Sequence, residues 1–198
     1  YPLLTTLAML YAARGIGLHI IDGALIILPP EMGFIASGKF FSIPVTIIIA
    51  FLILFLGYLV LTKTPFGRQV YAVGNDETIA REVGINVFKI KVIVYVISGT
   101  LAGITGLIWA SQLMAVSPGL GSDLEFMAII AAVLGGVSLI GGEGKLFPGV
   151  LLGTLVVIIL SNGLVLMGAS PYIYPIVQGG VIFLAVLADT LKHKVSLK

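Results

Sequence analysis

The sequence predicts an all-α, polytopic transmembrane bundle, and three features carry that prediction. Hydrophobic residues make up 59% of the 198 positions and charged residues only 10%, with a mean hydropathy of +1.16. A soluble domain carries about 25% charged residues, so this chain has too little charge to cover a water-facing surface. Several apolar runs also reach the ~20 residues a helix needs to cross ~30 Å of hydrocarbon at 1.5 Å per residue. Finally, of eleven Lys and Arg residues all but Arg14 and Lys39 fall in short stretches beside such runs. Basic residues clustered beside spans are how the positive-inside rule shows in a sequence.

Taken in order, residues 1–20 form a first span candidate, weakened by Arg14, which must reach an interface or face protein. Residues 21–42 read as an external connection punctuated by Pro29, Pro30, Gly33 and Gly38, with residues 24–28 as a short interfacial helix. Residues 43–61 form a charge-free span. The stretch 63–91 holds five basic residues and, at 75–84, a short helix. Asn75 is its predicted N-cap, Asp76 and Glu77 sit where the helix dipole favours acids, and Gly84 ends it. Ile79, Ala80 and Val83 share one face of this helix, while Glu77, Arg81 and Glu82 occupy others. Residues 92–110, 148–168 and 172–191 are further spans, the last with Asp189 only near its end. Residues 126–141 carry Gly135, Gly136 and Gly141 and read as a span or a broken span, because glycine-interrupted segments often line a pathway.

Charge orders these pieces into one membrane domain, residues 1–198. With 63–91 in the cytoplasm, four further crossings return Lys192, Lys194 and Lys198 to the same side, and Lys145 with them. The connections 111–125 and 169–174 contain no Lys or Arg and fall outside. Without a crossing at 126–141 the basic tail would sit on the wrong side.

Several function classes drop out. The chain has no cysteine, hence no disulfide framework and no Cys metal site. His19 and His193 lie far apart without metal-ligand spacing, and no catalytic constellation is visible, so neither an enzyme nor a bound cofactor or metal is predicted. Gly142-Glu143-Gly144-Lys145 lacks both the spacing of a phosphate-binding loop and a Ser or Thr after Lys. No basic stripe interleaves with aromatics, which argues against nucleic acid.

The polar residues of the spans are neutral. Gln112, Ser161, Asn162 and Gln178 are the candidates for lining a pathway, Asn162 and Gln178 first; Ser98, Thr100, Thr105 and Thr154 share the same chemistry. Such groups suit a neutral, hydroxyl-rich solute or bond between helices. Proton- and ion-coupled carriers place ionisable groups mid-membrane; a transporter without them draws work from a partner or conducts downhill. Glycines at Gly99 and Gly103, at Gly149 and Gly153, and the pair Gly135-Gly136 let backbones approach closely. Packing within the subunit, a dimer seam and a moving gate all use that spacing. The two-turn helix at 75–84 is marginal alone and must dock on the membrane, on its own loop, or into a cytoplasmic partner.

Three stretches carry a family resemblance: Gly67-Arg-Gln-Val-Tyr-Ala-Val-Gly-Asn with Ala80 and Gly84-Ile-Asn-Val-Phe-Lys-Ile-Lys; Ala128-Ile-Ile-Ala-Ala-Val-Leu-Gly-Gly-Val-Ser-Leu-Ile-Gly-Gly-Glu-Gly-Lys; and Gly149-Val-Leu-Leu-Gly-Thr with Ser161-Asn-Gly-Leu. They resemble the sugar-type permeases of ABC importers, the ribose, xylose, galactose and autoinducer-2 group. The resemblance implies a permease bundle of the type II importer kind in a bacterial inner membrane. It also implies that Asn75, Asp76, Glu77, Thr78, Ile79, Ala80, Arg81, Val83 and Gly84 form the coupling helix, seated in a cleft of a separate ATP-binding subunit. A second permease subunit, identical or not, and a periplasmic or lipoprotein sugar-binding protein would complete the assembly within the lipid. By the same resemblance the chain corresponds to the C-terminal two-thirds, with earlier spans missing. Phe126-Met127 stands where members often carry an acid, and Ile79 replaces a small residue common in the coupling helix. The function implied is translocation of a neutral sugar by alternating access, driven by ATP in the partner. A nucleotide-independent channel or facilitator, or an assembly subunit with no pathway, remains the alternative.

Overall fold

Glycines, prolines and short polar caps set several of the helix ends among the described residues. A computed structural model describes residues 2–34, 38–40, 43–138 and 141–170, with Ile173, Ile176, Val177, Gly179, Gly180, Val181, Phe183 and Leu187. Helix α1 covers Pro2–Ile20. Strand β1 (Ile26–Ile27), a 3₁₀ turn (Pro30–Gly33), β2 (Lys39–Phe40) and β3 (Ile43–Pro44) follow. Helices α2 (Val45–Lys63), α3 (Pro65–Asn75), α4 (Glu77–Glu82) and α5 (Val87–Leu113) come next, then strand β4 (Ala115–Val116). Helix α6 is Leu124–Leu134, and a π-type turn at Leu146–Val150 leads into α7, Leu151–Leu166.

Among the described residues three helices are long and apolar enough to cross a membrane: α2, α5 and the continuous stretch Leu146–Leu166. The 1–20 stretch is helical as expected, and its Arg14 faces protein, with a guanidinium N–H donating to the Ser122 hydroxyl at 3.3 Å.

One sequence expectation changes, and one left open is narrowed. Residues 24–28 do not form a helix; Ile26 pairs with Val116 and Ile27 with Ala115 in an antiparallel ladder, extended by the Leu28 N–H donating to the Met114 carbonyl at 3.0 Å. The stretch is confined between Gly23, at φ 68°, and Pro29-Pro30. That leaves too few residues to recover the cost of a helical nucleus, while isoleucine suits an extended ladder.

The stretch 126–141 resolves as the broken alternative. Helix α6 has 11 residues, about 16 Å, roughly half of the hydrocarbon thickness. It ends where Gly136 takes φ 82°. The Gly136 N–H donates to the Val133 carbonyl and the Val137 N–H to that of Ala132, at 2.9 and 3.0 Å. Those two bonds are the pattern of a glycine-terminated helix.

Two compact units divide the chain. The first, Tyr1–Phe51 with Val96–Ser122, contains α1, the four short strands and the 3₁₀ turn. There the Ser111 hydroxyl donates to the Met32 carbonyl at 2.5 Å and ties that turn to α5. The second, Leu52–Tyr95 with Asp123–Lys198, contains α3, α4, α6 and α7. In it α6 and α7 run as an antiparallel hairpin whose main chains approach closely at Gly135, Gly149 and Gly153. A Cβ on Gly135 would sit 2.6 Å from the Gly149 carbonyl oxygen, and one on Gly153 would be 2.6 Å from the Gly135 nitrogen and overlap the Ala131 carbonyl. The predicted span 172–191 is described only at isolated positions, and Gln178 and the tail Lys192, Lys194 and Lys198 lie outside the described residues.

Candidate functional site

The stretch read from sequence mostly as a loop is a folded platform. Thr64 opens it as an N-cap. Its hydroxyl accepts from the Gly67 N–H at 3.2 Å and donates to the Val60 carbonyl at 2.6 Å, and Pro65 occupies the first turn, where a missing N–H costs nothing. A side chain at Gly67 would overlap the Leu61 carbonyl, so the corner between α2 and α3 requires glycine. Phe66, Val70 and Val73 on α3 pack with Ala80 of α4, Ile85, and Val87 and Ile90 of α5 into one small apolar core. Positions 66, 70 and 73 lie on one helix face.

Ala80 is the anchor of α4, at 2% exposure. Ile79 and Val83 turn the other way, at 57% and 69% exposure. The three therefore do not act as one face: Ala80 belongs to the core and the other two to the surface. The cap also differs from expectation. Asn75 is the last residue of α3, and Asp76, extended at φ −157°, caps α4. One oxygen of the Asp76 carboxylate accepts from the Thr78 N–H at 2.7 Å and the Ile79 N–H at 3.1 Å. The two helices meet at a single residue, and the extended one must be the cap; a carboxylate also accepts more strongly than an amide. The Ile79 N–H, then the Thr78 N–H, hold the Asp76 carboxyl below its ordinary range.

Gly84, at φ 82°, ends α4 as predicted, with its N–H on the Arg81 carbonyl and the Ile85 N–H on that of Ala80, both at 3.0 Å. Asn86 then caps α5, its side-chain oxygen accepting from the Lys89 N–H at 3.0 Å. Glu77 and Lys91 form a half-exposed ion pair at 2.5 Å between α4 and α5. Asp76, Glu77, Thr78, Ile79, Ala80, Arg81, Val83 and Gly84 are thus gathered on one short, doubly capped helix.

Sequence reasoning missed what lies beneath it. The stretch 141–145 rests on the α3–α4 junction: the Tyr71 hydroxyl donates to the Gly144 carbonyl at 3.0 Å. A Cβ on Gly74 would come 2.8 Å from the Gly142 nitrogen, and one on Gly142 would come 2.7 Å from the Asn75 Cα. Beside this contact an open cleft of about 720 Å³ is lined by Tyr71, Gly135, Gly136, Glu143, Lys145 and Gly149, among others. The glycine pair at 141–142 was the available signal; pairs of glycines mark close approach but do not name the partner.

The remaining sequence candidates divide. Gly135, Gly149 and Gly153 make the backbone contacts of the α6–α7 hairpin, and Gly136 supplies the left-handed turn. A methyl group added at Gly99 or Gly103 would meet nothing within 4 Å among the described residues, so their spacing is not used for packing there. Gln112 is exposed in the last turn of α5; on α7 Ser161 is half-buried and Asn162 exposed. The first belongs to one unit and the other two to the second. The hydroxyls of Thr100, Thr105 and Thr154 donate to carbonyls four residues back in their own helices. Among the described residues no group of three or more His, Asp or Glu side chains is placed to hold a metal ion.

The chain is 42% identical over 197 residues to the ribose import permease protein RbsC of Bacillus subtilis (strain 168), covering 96% of this chain and 60% of that protein. It is 38% identical over 194 residues to the probable ABC transporter permease protein YphD of Escherichia coli (strain K12), covering 98% and 58%. Identity to the L-arabinose transport system permease protein AraH of the same strain is 36% over 193 residues, covering 97% and 58%. The chain thus spans about 60% of the length of the curated relatives it matches. No solved structure matches it. A family profile described as branched-chain amino acid transport system / permease component matches residues 1–186. That match runs from α1 through the capped platform and the α6–α7 hairpin, and with three membrane-long helices on the same chain it makes this a multi-pass helical membrane protein that belongs to the branched-chain amino acid transport system / permease component family.

Proposed function

We propose that this chain is the translocating part of an ABC importer permease for a neutral sugar, driven by a separate ATP-hydrolysing subunit that seats on α4. One observation carries the reading: Ile79 and Val83 are exposed on a helix whose opposite side is locked by the buried Ala80 and by caps at both ends. An exposed apolar pair on a rigid two-turn helix, outside the membrane-long segments, suits insertion into a partner's cleft. The names of the relatives, ribose and arabinose permeases, support a sugar as cargo. The neutral polar groups of the spans agree, with Gln112, Ser161, Asn162 and Gln178 as candidates for bonding its hydroxyls. In this reading 63–91 and the C-terminal tail face the bacterial cytoplasm, and a second permease subunit and a sugar-binding protein complete the importer.

ATP binding can drive the spans only if their two arrangements differ in affinity for the ATP-bound partner, so the seat must be stiff. The test uses the full-length protein with its cognate ATPase. Ile79→Asp, a charge placed in an apolar interface, is expected to weaken ATPase binding by on the order of tenfold to a hundredfold. Gly84→Pro, which cannot adopt φ 82°, is expected to abolish uptake while the protein stays in the membrane. Normal uptake by both variants would sink the docking role. Flux that persists without nucleotide would make the chain a facilitator instead.

A further inference from the structure

We infer that the 141–145 stretch is a second linkage, one that carries displacement of α4 to the α6–α7 hairpin, with Tyr71, Gly74 and Gly142 as its positioning residues. The inference rests on the reading of α4 as the ATPase seat and adds a route that the chain's connectivity does not supply. Covalently, α4 continues through 83–86 into α5 alone in the forward direction. The α6–α7 hairpin is more than forty residues further on in sequence, and its route to α4 is contact by way of α3: the 141–144 chain touches Tyr71, Gly74 and Asn75 of α3, and Ala80 of α4 packs in one cluster with Val73 of α3.

That contact is backbone on backbone at both of its ends. At the platform, the chain at 74–75 meets the chain at 141–142 with no room for a Cβ on Gly74 or Gly142, and the Tyr71 hydroxyl pins the Gly144 carbonyl. In the hairpin, Gly135 meets Gly149 and Gly153 meets Ala131 in the same manner. Contacts through long side chains can yield by changing rotamer, but contacts between main chains cannot, and a close-packed region transmits displacement. Between the two ends the path is short: Lys145 leads directly into the Leu146–Val150 turn and α7. The path of the stretch depends on glycine, with Gly141, Gly142 and Gly144 at φ 118°, 72° and 150°, values that other residues rarely adopt. The open cleft beside it gives the linkage space to shift. Its far end is the broken helix α6, the one apolar helix of the described residues that stops at half-length, and short interrupted segments are where membrane proteins place moving or pathway-lining backbone.

The experiment reconstitutes the full-length permease with its ATPase in proteoliposomes and measures sugar uptake and ATP hydrolysis in the same vesicles. Tyr71→Phe deletes one hydroxyl; Gly74→Ala adds one methyl against the Gly142 nitrogen. The expected result is an ATPase that still co-purifies and still hydrolyses ATP within about twofold of normal, while uptake per ATP falls about fivefold in Tyr71→Phe, the scale of one lost hydrogen bond, and further in Gly74→Ala. An unchanged ratio of uptake to hydrolysis in both variants overturns the linkage, including the case where protein yield or melting temperature drops, because a purely structural role lowers the amount and not the ratio. If Gly74→Ala does not fold, the ratio in Tyr71→Phe alone decides. A wild-type permease that fails to retain its ATPase would instead remove the seat on α4, so the two failures read differently.

Discussion

At Asp76 the chain leaves one helix and enters the next with no spare residue, and its carboxylate caps the second helix at that end. The carboxyl is held below its ordinary range by the N–H groups of Ile79 and Thr78. A depressed folded-state value means that the charged cap contributes in full above the ordinary carboxylate range and is lost as pH falls through the folded value. The carboxyl resonance of Asp76 is therefore expected to titrate below that of an unstructured aspartate, and neutral pH leaves the cap intact. Asp76→Ala should speed exchange of the 77–82 amides, whereas Asp76→Asn, which keeps an acceptor, should speed it less. A cap at Asn75 would have looked equally good on residue preference alone, since Asn and Asp rank together as N-caps. What decides between them is where α3 ends. Val73 of α3 and Ala80 of α4 share one buried cluster across that junction, an association that local sequence does not spell out.

Helix α4 shows why a short element can hold its shape under load. Alone it would not form; here Ala80 fastens it to α3 and α5, Gly84 closes it, and Glu77 reaches Lys91. Ala80→Leu forces extra volume between Val73, Val87 and Ile90 and is expected to cost about 1–3 kcal/mol of stability. Ile79→Ala, at an exposed side chain, should leave the melting temperature of the detergent-solubilised protein near normal. Equal losses in both would mean that Ile79 is packing rather than surface. Helix α3 was not read from the sequence, and it contains Pro65, Gly67 and Gly74, residues that disfavour a helix interior. Each has a local reason: a first-turn proline, a tight corner with Leu61, and the approach of Gly142. The half-length α6 was legible as far as its glycine pair, and Gly136→Ala, placed at φ 82°, is expected to cost about 1–2 kcal/mol.

Across the molecule, composition and run length were enough to predict membrane helices, because hydrocarbon thickness sets one scale for every span. The glycine spacing was not enough. Gly149 with Gly153 and Gly99 with Gly103 are spelled alike, yet the first pair lies against backbone and the second against open space among the described residues. The side of the membrane on which each connection lies is a property of the chain as a whole, and a cysteine-free sequence allows it to be measured at single positions. Helix α5, with 27 residues and about 40 Å of length, is long enough to carry the chain across, so the residues after it are expected to label from the side opposite to those before it. The stretch 141–145 returns to the α3–α4 junction, where Tyr71 and Gly74 hold it. Single cysteines at the exposed Arg68 and Glu143 should then react with a membrane-impermeant maleimide only in inverted vesicles, and one at Gly119 only in intact cells, since the basic residues of 63–91 favour the cytoplasm. Labelling of Glu143→Cys from the same side as Gly119→Cys would contradict the packing of 141–145 on α3, whereas reversal of all three together would contradict only the orientation.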